Sequence, residues 1–228
     1  TLADIRGQVD VVALDLADPA SIDTCAEAVA KLTDKLDILI NNAGIMAAPL
    51  SRDARGFEAQ FATNHLGHFQ LAARLWPLLA KAGNARVVAL TSAAHKRFPL
   101  NIEDPNFLNR DYEKWTAYGQ AKSANALFAL ELDRLAAPHG VRAFAVHPGA
   151  IATNLGRFLS QDELSALSPS RKSDKLDAEP AESKVEAGGL EWKNAEAGAA
   201  TSVWAATSPL LEGKGGVYCN DSDIARLI

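Results

Sequence analysis

The pair with the clearest chemical use in this sequence is Tyr118 and Lys122, in the run Tyr118-Gly119-Gln120-Ala121-Lys122. On a helix, a spacing of four puts both side chains on one face and within reach of each other. An ammonium beside a phenol favours the phenolate, lowering a pKa that starts near 10. Each unit of such a shift is worth about 1.36 kcal/mol of differential interaction. A phenol tuned toward neutrality serves as an acid toward an alkoxide and as a base toward an alcohol. Taken alone the pair is a weak signal, because Tyr-x-x-x-Lys also arises by chance on many helix surfaces.

The elements that would position such a pair are strands and helices in alternation. Short apolar runs rich in branched residues cover 9–14, 36–40, 86–90, 141–146 and 216–219, separated by longer stretches with helical spacing. That pattern predicts an α/β fold with a parallel sheet wrapped on both faces. The residues that follow the runs are small or polar: Asp15, then Asn41-Asn42-Ala43-Gly44, then Thr91-Ser92, then His147-Pro148-Gly149. In an open parallel sheet these positions share the carboxyl edge, where ligands bind. Four strands delivering such groups to one edge predict a functional cleft.

Helix signals sharpen the picture. Asp18-Pro19 is a good helix start, with the carboxylate as cap and the proline ring at the first helical position. Phe57, Phe61, His65 and Phe69 step by four, which predicts one ring-bearing stripe on a buried face. A long alanine-rich helix is expected over 115–137, ended by Pro138 and Gly140. Its 124–135 face suits either the core or a contact in a homo-oligomer, a dimer or tetramer. Trp115 would position the tyrosine's helix or touch substrate. Residues 160–189 are polar and lack apolar periodicity, so the wider 155–190 region reads as a substrate loop or lid. No internal repeat or second domain is evident, and 1–228 reads as a single domain.

Composition excludes several classes. The chain has 228 residues, 48% hydrophobic and 22% charged, with a formal charge of −5. Nucleic-acid binding draws on clustered Lys and Arg, which this balance does not offer. No apolar run reaches the roughly 18 residues that span a bilayer, and no signal-peptide pattern opens the chain. Two cysteines, Cys25 and Cys219, are too few for a disulfide scaffold, so a cytoplasmic, reduced protein is expected. The histidines lie without other ligand-type residues at metal-site spacing, so no metal is expected. His147 reads as a residue that orients a loop.

Taken together, Asn41-Asn42-Ala43-Gly44, Ser92, Tyr118-x-x-x-Lys122 and Pro148-Gly149-x-Ile151-x-Thr153 resemble the short-chain dehydrogenase/reductase family in both order and setting. The runs from Phe61 to Phe69 and from Tyr118 to Asn125 are similar to its retinol dehydrogenase and WW-domain oxidoreductase branch. The tail segments 198–201 and 215–218 are similar to that branch too. The resemblance covers nearly the whole chain apart from the polar segment after Ser160. It implies a Rossmann-like doubly wound sheet and hydride transfer between NADP or NAD and a carbonyl or alcohol of a small, fairly apolar substrate. The branch tilts the cofactor toward NADP. The family roles then fall on these residues. Tyr118 exchanges the proton with the substrate oxygen, and Lys122 lowers its pKa and meets the nicotinamide ribose. Ser92 holds the substrate oxygen, and Asn64 completes a water-mediated relay to Lys122. Asp15 and Leu16, with Asn41, Ala43 and Gly44, line the adenosine side. Pro148, Gly149, Ile151 and Thr153 hold the carboxamide.

One family feature is missing from this sequence. The glycine-rich turn that gives dinucleotide phosphates close backbone approach should follow a first strand. Lys214-Gly215-Gly216 precedes a strand instead and reads as a loop. In the strand order 3-2-1-4-5-6 the two strands not found here lie between 9–14 and 36–40, so the working protein is expected to include an upstream segment. Two alternatives are weighed against the main reading. One is a regulatory dinucleotide binder without turnover; the other is a relative that reduces a carbon–carbon double bond.

Overall fold

The computed structural model describes residues 7–151, 153–167 and 192–225. Its sheet runs in the order β1-β2-β3-β6-β7, with β1 at Ile38–Asn41, β2 at Arg86–Leu90, β3 at Arg142–His147, β6 at Val217–Asn220 and β7 at Asp223–Ile224. The first four are parallel in an unbroken ladder, and β7 returns antiparallel on the outer edge. A small separate pair joins β4 (Ala150–Ile151) to β5 (Trp192–Lys193). The helices are α1 (Pro19–Leu32), α2 (Ala59–Phe61), α3 (Gly67–Ala82), α4 (Lys114–Ala136), α5 (Gln161–Leu167) and α6 (Ala195–Thr207).

Alternation along the strands decides which helix lies on which face. Val87 and Ala143 face α1, α3 and α4, packing with Ile22, Leu71, Leu75, Leu79 and Ala136. Val88, Leu90, Phe144 and Val146 point the other way, against Ala205 and Ala206 of α6. Alanines meet where α4 crosses the sheet, with Ala89, Ala129 and Ala145 in one cluster. Small residues on both sides let helix and sheet approach closely. The result is a doubly wound parallel α/β sheet, the expected fold class.

Local chemistry fixes the helix ends. Asp18 Oδ1 accepts from Ala20 N–H at 3.0 Å with Pro19 at the first turn, the arrangement that Asp-Pro predicts. Glu113 caps α4, accepting from Trp115 N–H at 2.9 Å and Thr116 N–H at 2.6 Å. The far end of α4 runs into a short 3₁₀ turn at Ala137–His139 and stops at Gly140, whose φ of 76° is costly for other residues.

Two expectations need correction, and a third was left open by sequence. Residues 9–14 form no ladder among the described residues. Val9 and Val11 are 43% and 86% exposed, and only Val12 leans on the α1–α3 core. β1 pairs with β2 alone, and its Ile38 and Ile40 stay about 40% exposed, so this stretch gains no strand neighbour. The ring stripe begins at Phe61, not Phe57, because Phe57 precedes the Glu58 cap. It also emerges into solvent at Phe69, since a π turn over Ala62–Leu66 breaks the four-residue period. Finally, α4 is core on one side and bare on the other: Ala124 and Ala129 are buried, while Leu127, Leu130 and Leu135 are each more than half exposed. Of the 155–190 region, residues 168–190 lie outside the described residues. The part before them forms α5, tied back to α4 by the ion pair Lys114–Glu163 at 2.5 Å.

The register between α4 and β3 is set by a charge pair. Asp133 receives Arg142 through both oxygens at 2.8 and 2.9 Å, and also accepts from the Ala143 N–H at 3.0 Å. Asp133 is 7% exposed. Removing one partner leaves the guanidinium and an amide poorly satisfied. Asp133→Ala is expected to cost about 3 kcal/mol in urea unfolding, whereas the exposed Asp23–Arg74 pair is expected to contribute little.

Candidate active site

The carboxyl ends of β1, β2 and β3 open into a cleft of about 700 Å³. Its wall includes Ala43, Gly44, Ser92, Tyr118, Lys122, Pro148, Gly149, Ile151 and Thr153, so nine of the residues singled out by sequence converge there. A second cavity of about 630 Å³ adjoins it and shares Ser92 and Tyr118. His147, Gly149, Ile151, Thr153 and Leu155 are shared too, and the rest of its lining includes Met46, Trp115, Leu159, Leu164 and Trp192. Tyr118 and Ser92 therefore stand at the boundary between a larger, more polar chamber and an apolar one.

The polar side chains here are held by non-local bonds. Tyr118 is 5% exposed and takes a hydrogen bond from Ser92. Ser92 in turn starts a 3₁₀ turn, and its carbonyl accepts from His95 Nδ1 at 2.6 Å. Lys122 Nζ donates to the Leu90 carbonyl at 3.0 Å, and Thr91 Oγ1 donates to the Lys122 carbonyl at 2.7 Å. Asn64 sits inside the π turn beneath the 43–45 loop. Its amide donates to the Ile45 carbonyl at 2.9 Å and accepts from the Ile45 N–H at 2.8 Å. Gly44 makes this fit possible, since a Cβ there would lie 2.8 Å from Asn64 Oδ1.

Burial dominates the titration of the pair. Desolvation pushes the Tyr118 phenol up to about 12, with the Ser92 hydrogen bond opposing it. Desolvation also brings Lys122 down to about 8. The expected lowering of the phenol by the ammonium is therefore absent in this state. Lys122 Nζ is engaged by the strand carbonyl and lies 5.7 Å from the phenol ring centroid. His68 falls to about 4, chiefly through burial, and donates through Nδ1 to the Asn64 carbonyl at 3.0 Å.

Four other residues singled out by sequence lie outside the cleft lining. Asn64 is fully buried and does not line the cleft. Asp15 and Leu16 lie off it as well. The Asp15 carboxylate accepts from Ala17 N–H at 2.8 Å in the turn before α1. Leu16 is buried against Gly67, where a Cβ would stand 2.3 Å from the Leu16 carbonyl. Without a ladder over 9–14, nothing carries Asp15 and Leu16 to the sheet edge. Asn41 is 2% exposed, between cleft residues Ile40 and Asn42, and both its amide atoms lack partners among the described residues. Sequence reasoning passed over Arg157, Ser202 and Val203, which line the cleft, while His147, placed by sequence at the sheet edge and read as orienting a loop, lines both chambers. Arg157 sits in a segment with no periodic signal, and Ser202 and Val203 belong to a helix distant in sequence. His147 alone was visible, as the residue next to Pro148-Gly149.

The doubly wound sheet thus carries a phenol, a hydroxyl and a lysine at its carboxyl edge, where ligands bind in such folds. Comparison with known proteins assigns the lineage. The profile described as short chain dehydrogenase matches residues 1–164, and the chain belongs to that family. A Streptomyces antibioticus protein named "Probable oxidoreductase" is 42% identical over 223 residues, covering 97% of this chain and 70% of that protein. Retinol dehydrogenase 14 of Mus musculus is 36% identical over 225 residues, 97% of this chain and 62% of that enzyme. The fold also matches the crystal structure of NADPH-bound carbonyl reductase from chicken fatty liver, with a TM-score of 0.64 at 21% identity. That match covers 96% of this chain and 77% of the other. The chain thus spans less than two thirds of the mouse enzyme and somewhat more of the Streptomyces protein.

The lysine gives a pH test with a definite sign. Its folded pKa, about 8, lies below the ordinary 10.5, so between those values the unfolded chain holds a proton that the folded chain does not. Stability therefore rises with pH through that window. Relative to Lys122→Met, the parent is expected to gain about 3 kcal/mol between pH 8 and pH 11 in urea titrations.

Proposed function

We propose that the full-length protein is an NAD(P)-dependent oxidoreductase that reduces the carbonyl group of a small, uncharged, apolar substrate. The observation that carries the reading is the position of Tyr118 and Ser92 on the common wall of the two chambers. A cofactor in one and a substrate in the other would meet at that wall.

The larger chamber suits a nicotinamide dinucleotide. Its volume is adequate, Lys122 and Arg157 supply cations for an anionic ligand, and the Asn41 amide offers bonding capacity unused among the described residues. Ala43, Gly44, Pro148, Gly149, Ile151 and Thr153 would hold the cofactor, with Lys122 on its ribose. When bound, the nicotinamide supplies the hydride. NADP is favoured over NAD, in keeping with the cofactor in the carbonyl reductase of the same fold.

The protein's own part is proton transfer and orientation. A phenol raised to about 12 is protonated at neutral pH. It therefore serves as an acid for an alkoxide as it forms, which supports the reductive direction. Ser92 would hold the carbonyl oxygen within reach of Tyr118. The apolar chamber has no Lys, Arg, Asp or Glu among its described lining residues, which supports an uncharged substrate. Leu155, Leu159 and Leu164, from the described part of the 155–190 region, form one of its walls.

We also infer a homo-oligomer. Phe69, Trp76, Leu127, Phe128 and Leu135 line an apolar groove of about 410 Å³ between α3 and α4, and Phe69, Leu127 and Leu135 are each more than half exposed. Exposed apolar patches of this kind mark association surfaces. The double variant Leu127→Lys/Leu135→Lys is expected to lower the mass seen by sedimentation to that of a monomer. An unchanged mass would remove the inference.

The catalytic reading is tested with Tyr118→Phe. Following NADPH absorbance with a panel of apolar aldehydes and ketones, the variant is expected to lose at least about 100-fold in kcat. Its NADPH affinity, read by nicotinamide fluorescence, should stay near the parent's. Equal turnover by both proteins would refute the role of the phenol.

A further inference from the structure

Asn125 lies one helical turn beyond Lys122 on α4 and is 2% exposed. Its bonds all go to the surroundings of the proposed catalytic groups. Nδ2 donates to the Asn64 carbonyl at 3.0 Å and to the Leu90 carbonyl at 3.0 Å. Oδ1 accepts from His65 Nδ1 at 3.1 Å. The Leu90 oxygen is also the acceptor for Lys122 Nζ, so two donors share its two lone pairs. The Asn64 oxygen is likewise shared, between Asn125 and His68 Nδ1. Asn125 thereby joins the π turn, the end of β2 and the lysine into one network, without itself lining the cleft.

That arrangement matters because Lys122 lines the cleft while its ammonium is tied to the end of β2 through the Leu90 carbonyl. Any movement of the ammonium further into the cleft stretches or breaks that bond. A buried carbonyl left with no donor carries a desolvation penalty. With Asn125 in place the oxygen keeps one donor after the lysine turns away. The His65 bond fixes which end of the Asn125 amide faces the carbonyls. The titratable groups around Lys122 are Tyr118 on its own helix and His68 on α3.

We propose that Asn125 is a positioning residue: it keeps the Leu90 and Asn64 carbonyls bonded, so that the Lys122 ammonium is free to shift from the Leu90 carbonyl toward a ligand in the cleft. The proposal rests on reading the cleft as a dinucleotide-dependent reductase site.

The test compares full-length parent, Asn125→Ala, Asn125→Ser and Asp133→Ala, the last as a fold-destabilised control outside the cleft. Two readouts are taken: steady-state carbonyl reduction, and the titration of Lys122 by NMR of its 13Cε. Asn125→Ala is expected to lower kcat about tenfold with substrate KM unchanged, equivalent to about 1.4 kcal/mol. Lys122 should then titrate at higher pH, because its ammonium has the Leu90 oxygen to itself. Asn125→Ser keeps one donor and should fall between; it also serves where the alanine variant does not fold. An unchanged Lys122 titration overturns the proposal, and so does an equal kcat loss in Asp133→Ala. A parent that reduces no carbonyl overturns the reductase reading, while the lysine titration still decides the positioning role.

Discussion

Helix α4 is bound to the end of β2 by Thr91 Oγ1 on the Lys122 carbonyl and by Lys122 and Asn125 on the Leu90 carbonyl. These bonds are buried, so water does not compete for them and the helix keeps one height above the sheet. Tyr118 rides one turn before Lys122 on the same helix, and Ser92 follows Thr91 in the segment just after β2, where it caps a 3₁₀ turn. Fixing one contact between α4 and β2 therefore fixes the phenol against the hydroxyl. At its far end the helix is held again, by Asp133 on Arg142 and the Ala143 amide. Both anchors precede any question of ligand.

The faces of the sheet were divided by side-chain size as well as by alternation. Alanines at 89, 129 and 145 allow α4 to lie close, while Val88, Phe144 and Val146 fill a thicker layer under α6. Close packing of this kind transmits position with little slack. The π turn at Ala62–Leu66 serves the same end. It places Asn64 so that its amide clamps Ile45 while its carbonyl faces Asn125 and His68. The loop after β1 is held at a fixed height above the lysine as a result.

Burial and charge pull the phenol in opposite directions, and here burial prevails. The lysine is itself depressed by desolvation and its ammonium is committed to a strand carbonyl. A phenol in that setting keeps its proton at neutral pH. The Leu90 carbonyl is shared by Lys122 and Asn125, so it keeps a donor if the ammonium moves.

Much of this was legible in the residues. Asp18-Pro19, the length of α4 and its end near Gly140 follow from backbone preferences that act over a few residues. The gathering of Gly44, Ser92 and Gly149 at one edge follows from alternating strands and helices, while the place of Tyr118 among them was implied by the family resemblance. The 9–14 run illustrates the limit: it has strand composition, yet a strand exists only through its neighbours, and no described strand pairs with it. Asp15 and Leu16 leave the cleft for the same reason. Tertiary structure alone decided that Lys122 would bind Leu90, that Asn125 would share that oxygen, and that Arg157 and Trp192 would line the two chambers. Periodicity is a property of neighbouring residues and can be read along the chain. The partner of a buried donor is chosen by whichever acceptor folding brings within 3 Å or so, and no local pattern encodes that.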